Sequence, residues 1–507
     1  MKLNKLMGAA VALGISASAL TAQTANNDDQ VKQLQNQLKQ MQLQFQQQQQ
    51  TFQQQMKAMQ EQLQKLHQGQ ATTVTEQDKL KAMMDRKLSE PSSLPLTSGT
   101  SSVEGKAFNP ADPIRVFGND NSYANIAFDG LMAMGASTAN DVAALNPGGH
   151  DPIQRGFTLQ QAEVAFDGAV DPYFRGLANI LFLVDGEGET VIELEEAYLE
   201  STSLPANLQL KAGQFFTSFG RHNPTHPHVW GFVDMPLINN RMFGGDGLRS
   251  PGAQLSWLAP TPFYSELKLG VQNGSGETAF SFRSSQEGEA VFGRLHTDTR
   301  AERILASRDL VFTPRYEAAF ELGEEQTLLA GASASFGANA SGSDSDTQIY
   351  GVDLTWKWKP AKHEKGFPFL TVQTEAMLRR YEAGAYTDDL AAGRDLYTTG
   401  VVDTAPAEII EDYGMYAHML YGFRPGWVAG LRADYVAPTR AQYERLFGVD
   451  AARDRRWRLS PNLTHFPTEF SKVRLQYNFD HRDNIGPDHS LWLQLEFLLG
   501  AHGAHKF

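Results

Sequence analysis

The stretch Leu491-Trp492-Leu493-Gln494-Leu495-Glu496-Phe497-Leu498-Leu499 carries an apolar side chain at every odd position, with Gln494 and Glu496 among the even ones. Successive side chains of a strand point to opposite faces, whereas a helix repeats every 3.6 residues, so this alternation specifies a strand with one greasy and one mixed face. Phe507 keeps the parity of the greasy face. Such a strand fits either the edge of a soluble sandwich or a wall with hydrocarbon on one side and water on the other.

The rest of the chain decides between the two. Sixteen candidate strands, from Ser122–Ala136 to Ser490–Gly500, follow one another with turn residues between them. In one, Tyr350, Val352, Leu354, Trp356 and Trp358 alternate with Gly351, Asp353, Thr355 and Lys357. In another, Val473, Leu475, Tyr477 and Phe479 alternate with Lys472, Arg474, Gln476 and Asn478. A charged set opposite a greasy set requires water inside and hydrocarbon outside, the reverse of a soluble sandwich. Aromatics gather at strand ends (Phe367 and Phe369; Tyr421, Phe423 and Trp427), where a membrane interface holds them. Short turns such as Arg424-Pro425-Gly426 alternate with long polar segments such as Glu382–Asp412. The expected fold is all-β, an antiparallel transmembrane barrel of about 16 strands over 116–507, wide enough for an aqueous lumen.

Ahead of the barrel, residues 1–25 read as a signal peptide, with Lys2 and Lys5 before the short apolar run Leu6–Ile15 and small residues after it. Residues 26–70 read as a periplasmic coiled coil. Its seam, at spacings of three and four, runs through Leu34, Leu38, Met41, Phe45, Phe52, Met56, Met59 and Leu63, with a stutter at Gln48. A helix this polar elsewhere has only copies of itself to bury against. Residues 71–115, with the Ser/Pro/Thr-rich run Ser89–Thr100, form a linker.

Composition narrows the chemistry. With 507 residues, 41% of them hydrophobic, no apolar run after the N-terminus is long enough for a spanning helix. The formal charge of −14 argues against nucleic acid as partner, and the absence of Cys removes thiol chemistry and disulfides. No nucleophile elbow, zincin, phosphate loop or dinucleotide fingerprint is present, so no enzyme is expected. The informative non-strand segment is Ser218–Arg249, too long for a plain turn. It is expected to fold into the barrel and narrow it, with Arg221, Asp234, Arg241 and Arg249 as constriction residues beside Glu193, Glu195, Lys472 and Arg474 of the wall. Its His222, His226 and His228 are candidate zinc ligands, although Pro224 and Pro227 interrupt any regular face. Glu193, Glu195, Glu196 and Glu200 on one strand suit a pore wall biased toward cations or a patch facing a loop, and Arg453, Arg455, Arg456 and Arg458 suit either a solvated rim or bidentate recognition of phosphate or carboxylate, in a pore or on lipopolysaccharide.

Some of these motifs are familiar. Gly156-Phe157-Thr158-Leu159-Gln160-Gln161-Ala162-Glu163-Val164-Ala165-Phe166-Asp167-Gly168 precedes Tyr173-Phe174-Arg175-Gly176, Glu196-Ala197-Tyr198-Leu199 and Leu210-Lys211-Ala212-Gly213-Gln214-Phe215-Phe216. This succession resembles the phosphate-selective porin O/P-like superfamily. It is closer to the "zinc-regulated outer membrane protein" group, in which the His226-Pro227-His228 loop and the Ala504-His505-Lys506-Phe507 terminus are similar. The coil ahead of the barrel resembles that of dicarboxylate-type trimeric porins. The resemblance, over about 115–507, implies a homotrimeric barrel in the outer membrane of a Gram-negative bacterium, amid lipid and lipopolysaccharide. It implies passive passage of small hydrophilic solutes and no cofactor. Phosphate specificity is not carried over, because the arginines are scattered and the chain is acidic. Zinc binding at the histidine loop, or zinc-linked uptake, is the alternative reading. A second is envelope tethering, with the coil touching peptidoglycan or other periplasmic partners. A TonB-type receptor would need a globular plug ahead of about 22 strands, which 26–115 does not supply.

Overall fold

The computed structural model describes residues 113–118, 122–169, 171–186, 188–283, 290–295, 303–396 and 400–500. The signal segment, the coiled-coil seam, nearly all of the linker and Phe507 lie outside them.

Sixteen strands form the wall: β1 Tyr123–Ser137, β2 Gly156–Ala169, β3 Phe174–Val184, β4 Thr190–Ser201, β5 Leu208–Phe216, β6 Arg249–Leu258, β7 Tyr264–Asn273 and β8 Leu310–Glu321. They continue as β9 Gln326–Ala338, β10 Asp346–Trp358, β11 Phe369–Ala383, β12 Glu408–Arg424, β13 Trp427–Pro438, β14 Arg456–Thr468, β15 Ser471–Arg482 and β16 Gly486–Leu499. Each pairs antiparallel with the next, and β1 pairs with β16 from Phe128↔Leu499 to Ser137↔Ser490, so the sheet closes and leaves no edge. A short strand, Ile114–Gly118, pairs with the start of β1.

The alternation seen in the sequence sorts the two faces. On β10, Val352 is 60% exposed and Asp353 only 5%. On β15, Leu475 and Tyr477 are exposed, while Lys472, Arg474, Gln476 and Asn478 are buried. Leu491, Leu495 and Phe497 of β16 also face outward, with Gln494 turned in. Buried charge inside an apolar exterior is stable only where hydrocarbon surrounds the wall and polar partners fill the interior.

The long connections, 138–155, 217–248, 274–309, 384–407 and 439–455, all leave the same end of the barrel, and two-residue turns such as 425–426 and 469–470 close the other. Gly426, at φ 77°, takes the left-handed conformation its turn requires. The polar segment expected over 382–412 is shorter than its composition suggests. Strand β12 begins at Glu408 because its acidic start pairs with β11, Arg379 opposite Asp412, and the Arg379 guanidinium reaches the Asp412 carboxylate at 2.6 Å.

Candidate functional site

The connection 217–248 reaches lumen-facing side chains all round the wall. At its start Gly220 N–H donates to Ser333 Oγ on β9, and the N–H groups of Arg221 and His222 donate to Glu375 Oε1 on β11, at 2.9 and 2.6 Å. A Cβ at Gly220 would collide with the Glu375 carboxylate, and φ there is 61°, so this approach needs glycine. Further on, the segment forms a short helix, Leu237–Phe243, whose Leu237, Ile238, Met242 and Phe243 pack with inward apolar residues Val311, Ile349, Met377, Tyr416 and Val436. This greasy seat anchors the helical part of the loop.

On the β13–β15 side the loop meets arginines. Asp234 lies fully buried between Arg432, which contacts Oδ1, and Arg458, 3.0 Å from Oδ2, with Asn478 donating to Oδ2 at 2.6 Å. Each arginine has a second anion: Asp434 for Arg432 at 2.7 Å and Asp480 for Arg458 at 2.6 Å. Arg458 also donates to Leu145 O and Asn146 Oδ1 of the connection 138–155, and Arg474 donates to Trp230 O at 2.8 Å. Burial alone would raise the Asp234 pKa. The two guanidiniums outweigh it and hold the carboxyl below its usual range.

On the β1–β4 side the loop meets carboxylates, and two β-bulges build that surface. Between β1 and β2, Leu131 pairs with Gln161 and Met132 with Leu159, leaving Gln160 extra. Between β3 and β4, Asn179 pairs with Glu196 and Ile180 with Leu194, leaving Glu195 extra. Each bulge breaks the period of two, so the adjacent pairs Gln160/Gln161 and Glu195/Glu196 all turn inward and are buried. Glu163 lies directly across from Asp129, and both are fully buried.

Two imidazoles of the loop enter this acidic surface, their rings stacked at 5.6 Å. His226 Nδ1 is 2.6 Å from Glu195 Oε2 and its Nε2 is 2.9 Å from Glu196 Oε2. Burial works to strip its proton, but the flanking carboxylates outweigh burial and hold the imidazole well above its ordinary pKa. His228 Nδ1 lies 3.7 Å from Asp129 Oδ2 and 3.6 Å from Glu163 Oε2. Gln161 Nε2 donates to Asp129 Oδ2 at 2.8 Å and to Glu163 Oε2 at 3.0 Å.

The three histidines of the sequence motif are therefore not one ligand set. His222 stands apart, its ring 4.7 Å from Trp230, and burial among neighbours that include Arg432 and His418 keeps it neutral, well below the usual imidazole pKa. Asp234 and Arg474 join the arginine side. Glu195 joins the carboxylate side, with Arg249 in contact with Glu193 and 3.8 Å from Glu195. Lys472 pairs with Glu496 and donates to His228 O. Arg221 and Arg241 go elsewhere, to Glu317 at 3.6 Å and Asp412 at 3.3 Å. Arg453, Arg456 and Arg458 are buried in ion pairs, and only Arg455 is the solvated rim residue that the RDRRWR run suggests. Asp129 is an acid at an inward-parity position of a largely apolar strand, Glu163 lies in the Gly156–Gly168 stretch with no role attached to it by the sequence, and the Gln160-Gln161 doublet marks the bulge beside them.

No family model matches the chain. It is 32% identical over 383 residues to an uncharacterised protein of Aquifex aeolicus (strain VF5), across 71% of this chain and 73% of that one. Among solved structures it is similar to the outer membrane channel DcaP of Acinetobacter baumannii, with TM-score 0.48, 15% identity, and 77% of this chain and 100% of that one covered. It is also similar to an anion-selective porin from Comamonas acidovorans, with TM-score 0.44, 7% identity, and 74% and 100% covered.

Proposed function

The chain belongs to one family with the uncharacterised Aquifex aeolicus protein, and we propose that it is a passive outer-membrane channel for small hydrophilic solutes. The observation that carries this reading is the inside-out wall: a closed sixteen-strand barrel, apolar outside, with a lumen lined by ionised and hydrogen-bonding side chains. A barrel of this strand number is too wide for its own side chains to fill, so water and solutes occupy the remainder. The connections 138–155 and 217–248, bonded to the inner wall, narrow the passage between a carboxylate side and an arginine side. Solute charge is then read at close quarters by fixed groups of both signs. In this reading the barrel works as a homotrimer in lipid and lipopolysaccharide, with the N-terminal coil in the periplasm.

Single-channel recording of the purified chain in a planar bilayer tests this. Stepwise conductance in threes is the expected result, with a reversal potential in a salt gradient that shows cation preference. A correctly folded barrel that passes no current overturns the proposal.

A further inference from the structure

The carboxylate side of the lumen holds more than a channel wall needs. Asp129, Glu163 and His228 each offer a donor atom within 4.8 Å of the other two, and Glu163, Glu195 and His226 do the same. Glu163 belongs to both sets, so the two groups share a carboxylate. The separations of His228 Nδ1 from Asp129 and Glu163, 3.7 and 3.6 Å, are too long for hydrogen bonds. They are close to the roughly 3.4 Å between neighbouring donors arranged tetrahedrally at about 2.1 Å from a zinc-sized ion.

A second observation is independent of this spacing. Asp129 Oδ1 and Glu195 Oε1 accept no hydrogen bond, although each residue is fully buried. A buried carboxylate oxygen with no donor is costly unless a cation or a proton supplies what water would have. Permanent cations reach only the rim of the cluster: Arg249 pairs with Glu193 and lies 3.8 Å from Glu195, and Lys472 is matched by Glu496. Among the described residues Asp129 makes no close ion pair with a lysine or arginine; Lys472 lies within electrostatic reach, and the His228 imidazole is 3.7 Å away.

The surroundings also suit ligands. Gln161 Nε2 lies against the same three donor atoms, 2.8 Å from Asp129 Oδ2, 3.0 Å from Glu163 Oε2 and 3.5 Å from His228 Nδ1, so it holds them together and must swing aside to admit an ion. Glu196 holds Nε2 of His226, the carboxylate–imidazole contact that orients a ligating ring. Mixed imidazole and carboxylate donors select zinc-like ions over magnesium or calcium, which favour all-oxygen sets.

We propose that Asp129, Glu163 and His228 bind a divalent transition-metal ion of the zinc type, and that the shared Glu163 extends the site to a second, weaker position at Glu195 and His226. The ranking follows from geometry. The first triad already has metal-like spacing, whereas His226 Nδ1 and Glu195 Oε2 are closed to 2.6 Å and must separate to admit an ion. Three protein donors leave a coordination position for water or an anionic solute. The site does not depend on conduction, so a non-conducting barrel that binds metal would sink the channel reading and leave this one standing.

The test is equilibrium binding of Zn²⁺ alone to the purified, chelator-stripped full chain, with compact barrel migration on a denaturing gel confirming that each variant is folded. The expected result is two equivalents of unequal affinity. H228Q removes the tighter, H226Q the weaker, E163Q both, and H222Q neither. If the native chain takes up no more Zn²⁺ than E163Q, a proton satisfies these carboxylates and the proposal fails. It fails equally if H222Q loses as much Zn²⁺ as H228Q. A single equivalent lost alike in H226Q and H228Q overturns the shared-carboxylate arrangement. If E163Q does not fold, H228Q against H222Q still decides the matter.

Discussion

The two sides of the lumen loop use the same currency, buried charge, and spend it differently. On the β13–β15 side every carboxylate that meets the loop has an arginine, and each arginine has at least two acceptors: Arg432 with Asp234 and Asp434, Arg458 with Asp234 and Asp480. On the β1–β4 side the carboxylates outnumber the guanidiniums, the bases are imidazoles, and Asp129 and Glu195 keep oxygens without a donor. Complete pairing of planar, bidentate donors fixes a segment in place. Incomplete pairing keeps affinity in reserve for a ligand. The loop is thus anchored on one side and chemically receptive on the other.

The largest expected effect comes from breaking the anchored side. R458A removes one guanidinium from Asp234, one from Asp480 and the donors to Leu145 O and Asn146, leaving buried carboxylates half-compensated. Removing one partner of a buried pair costs about 3–5 kcal/mol. The loop should loosen from β14 and, if the barrel conducts as proposed, single-channel current should rise. Urea unfolding in lipid vesicles and single-channel current on the same preparation check this. Unchanged stability and unchanged current would mean the arginine side is not the anchor.

The receptive side should respond in the opposite sense. D129N keeps the shape and the acceptor for Gln161 but replaces a buried carboxyl that faces Glu163 and makes no close ion pair with a lysine or arginine. In chelator its stability should match or exceed the parent by about 1 kcal/mol, the size of an ordinary substitution but with the unusual sign. A loss of about 3 kcal/mol, the lower end of the cost of breaking a buried pair, would show that both sides are anchors and erase the contrast.

The sequence reveals the wall far better than the contrast within it. Strands such as β10 and β15 are legible because one rule, alternation, governs every residue, and hydrocarbon outside enforces it. The pairing of Glu195 with Glu196 is not legible in this way, because strict alternation turns adjacent residues to opposite faces and only the bulge brings them together. The histidine motif marks a loop whose three imidazoles the fold then separates. His226 and His228 are two apart across a short 3-10 turn and enter the acidic surface, while His222 precedes Pro224 and turns to Trp230. Asp129 and Glu163, 34 residues apart, meet only through the register of β1 and β2.

The smallest effect concerns where the two lumen connections touch. Asp151 of 138–155 accepts from Met235 N–H at 2.8 Å and from Gly148 N–H at 3.2 Å. Burial, together with the Asp234 charge, pushes its pKa up to about 7, and the hydrogen bonds and nearby arginines offset only part of that. A raised carboxyl pKa means that the docked state binds the proton more tightly than the released one. The contribution to docking is therefore full below the ordinary aspartate range near pH 4 and fades as pH rises through about 7. Asp234 acts in the opposite sense. Its pKa is held low by Arg432 and Arg458, so its contribution persists above the usual carboxylate range and fades only in strong acid. Amide exchange at Met235, corrected for intrinsic rate, should therefore quicken between pH 6 and 8 in the parent, and D151N should remove that pH dependence while leaving the arginine side undisturbed. A flat parent profile would mean that the contact is held by the backbone bonds alone, and that the proton on Asp151 plays no part in holding the two connections together.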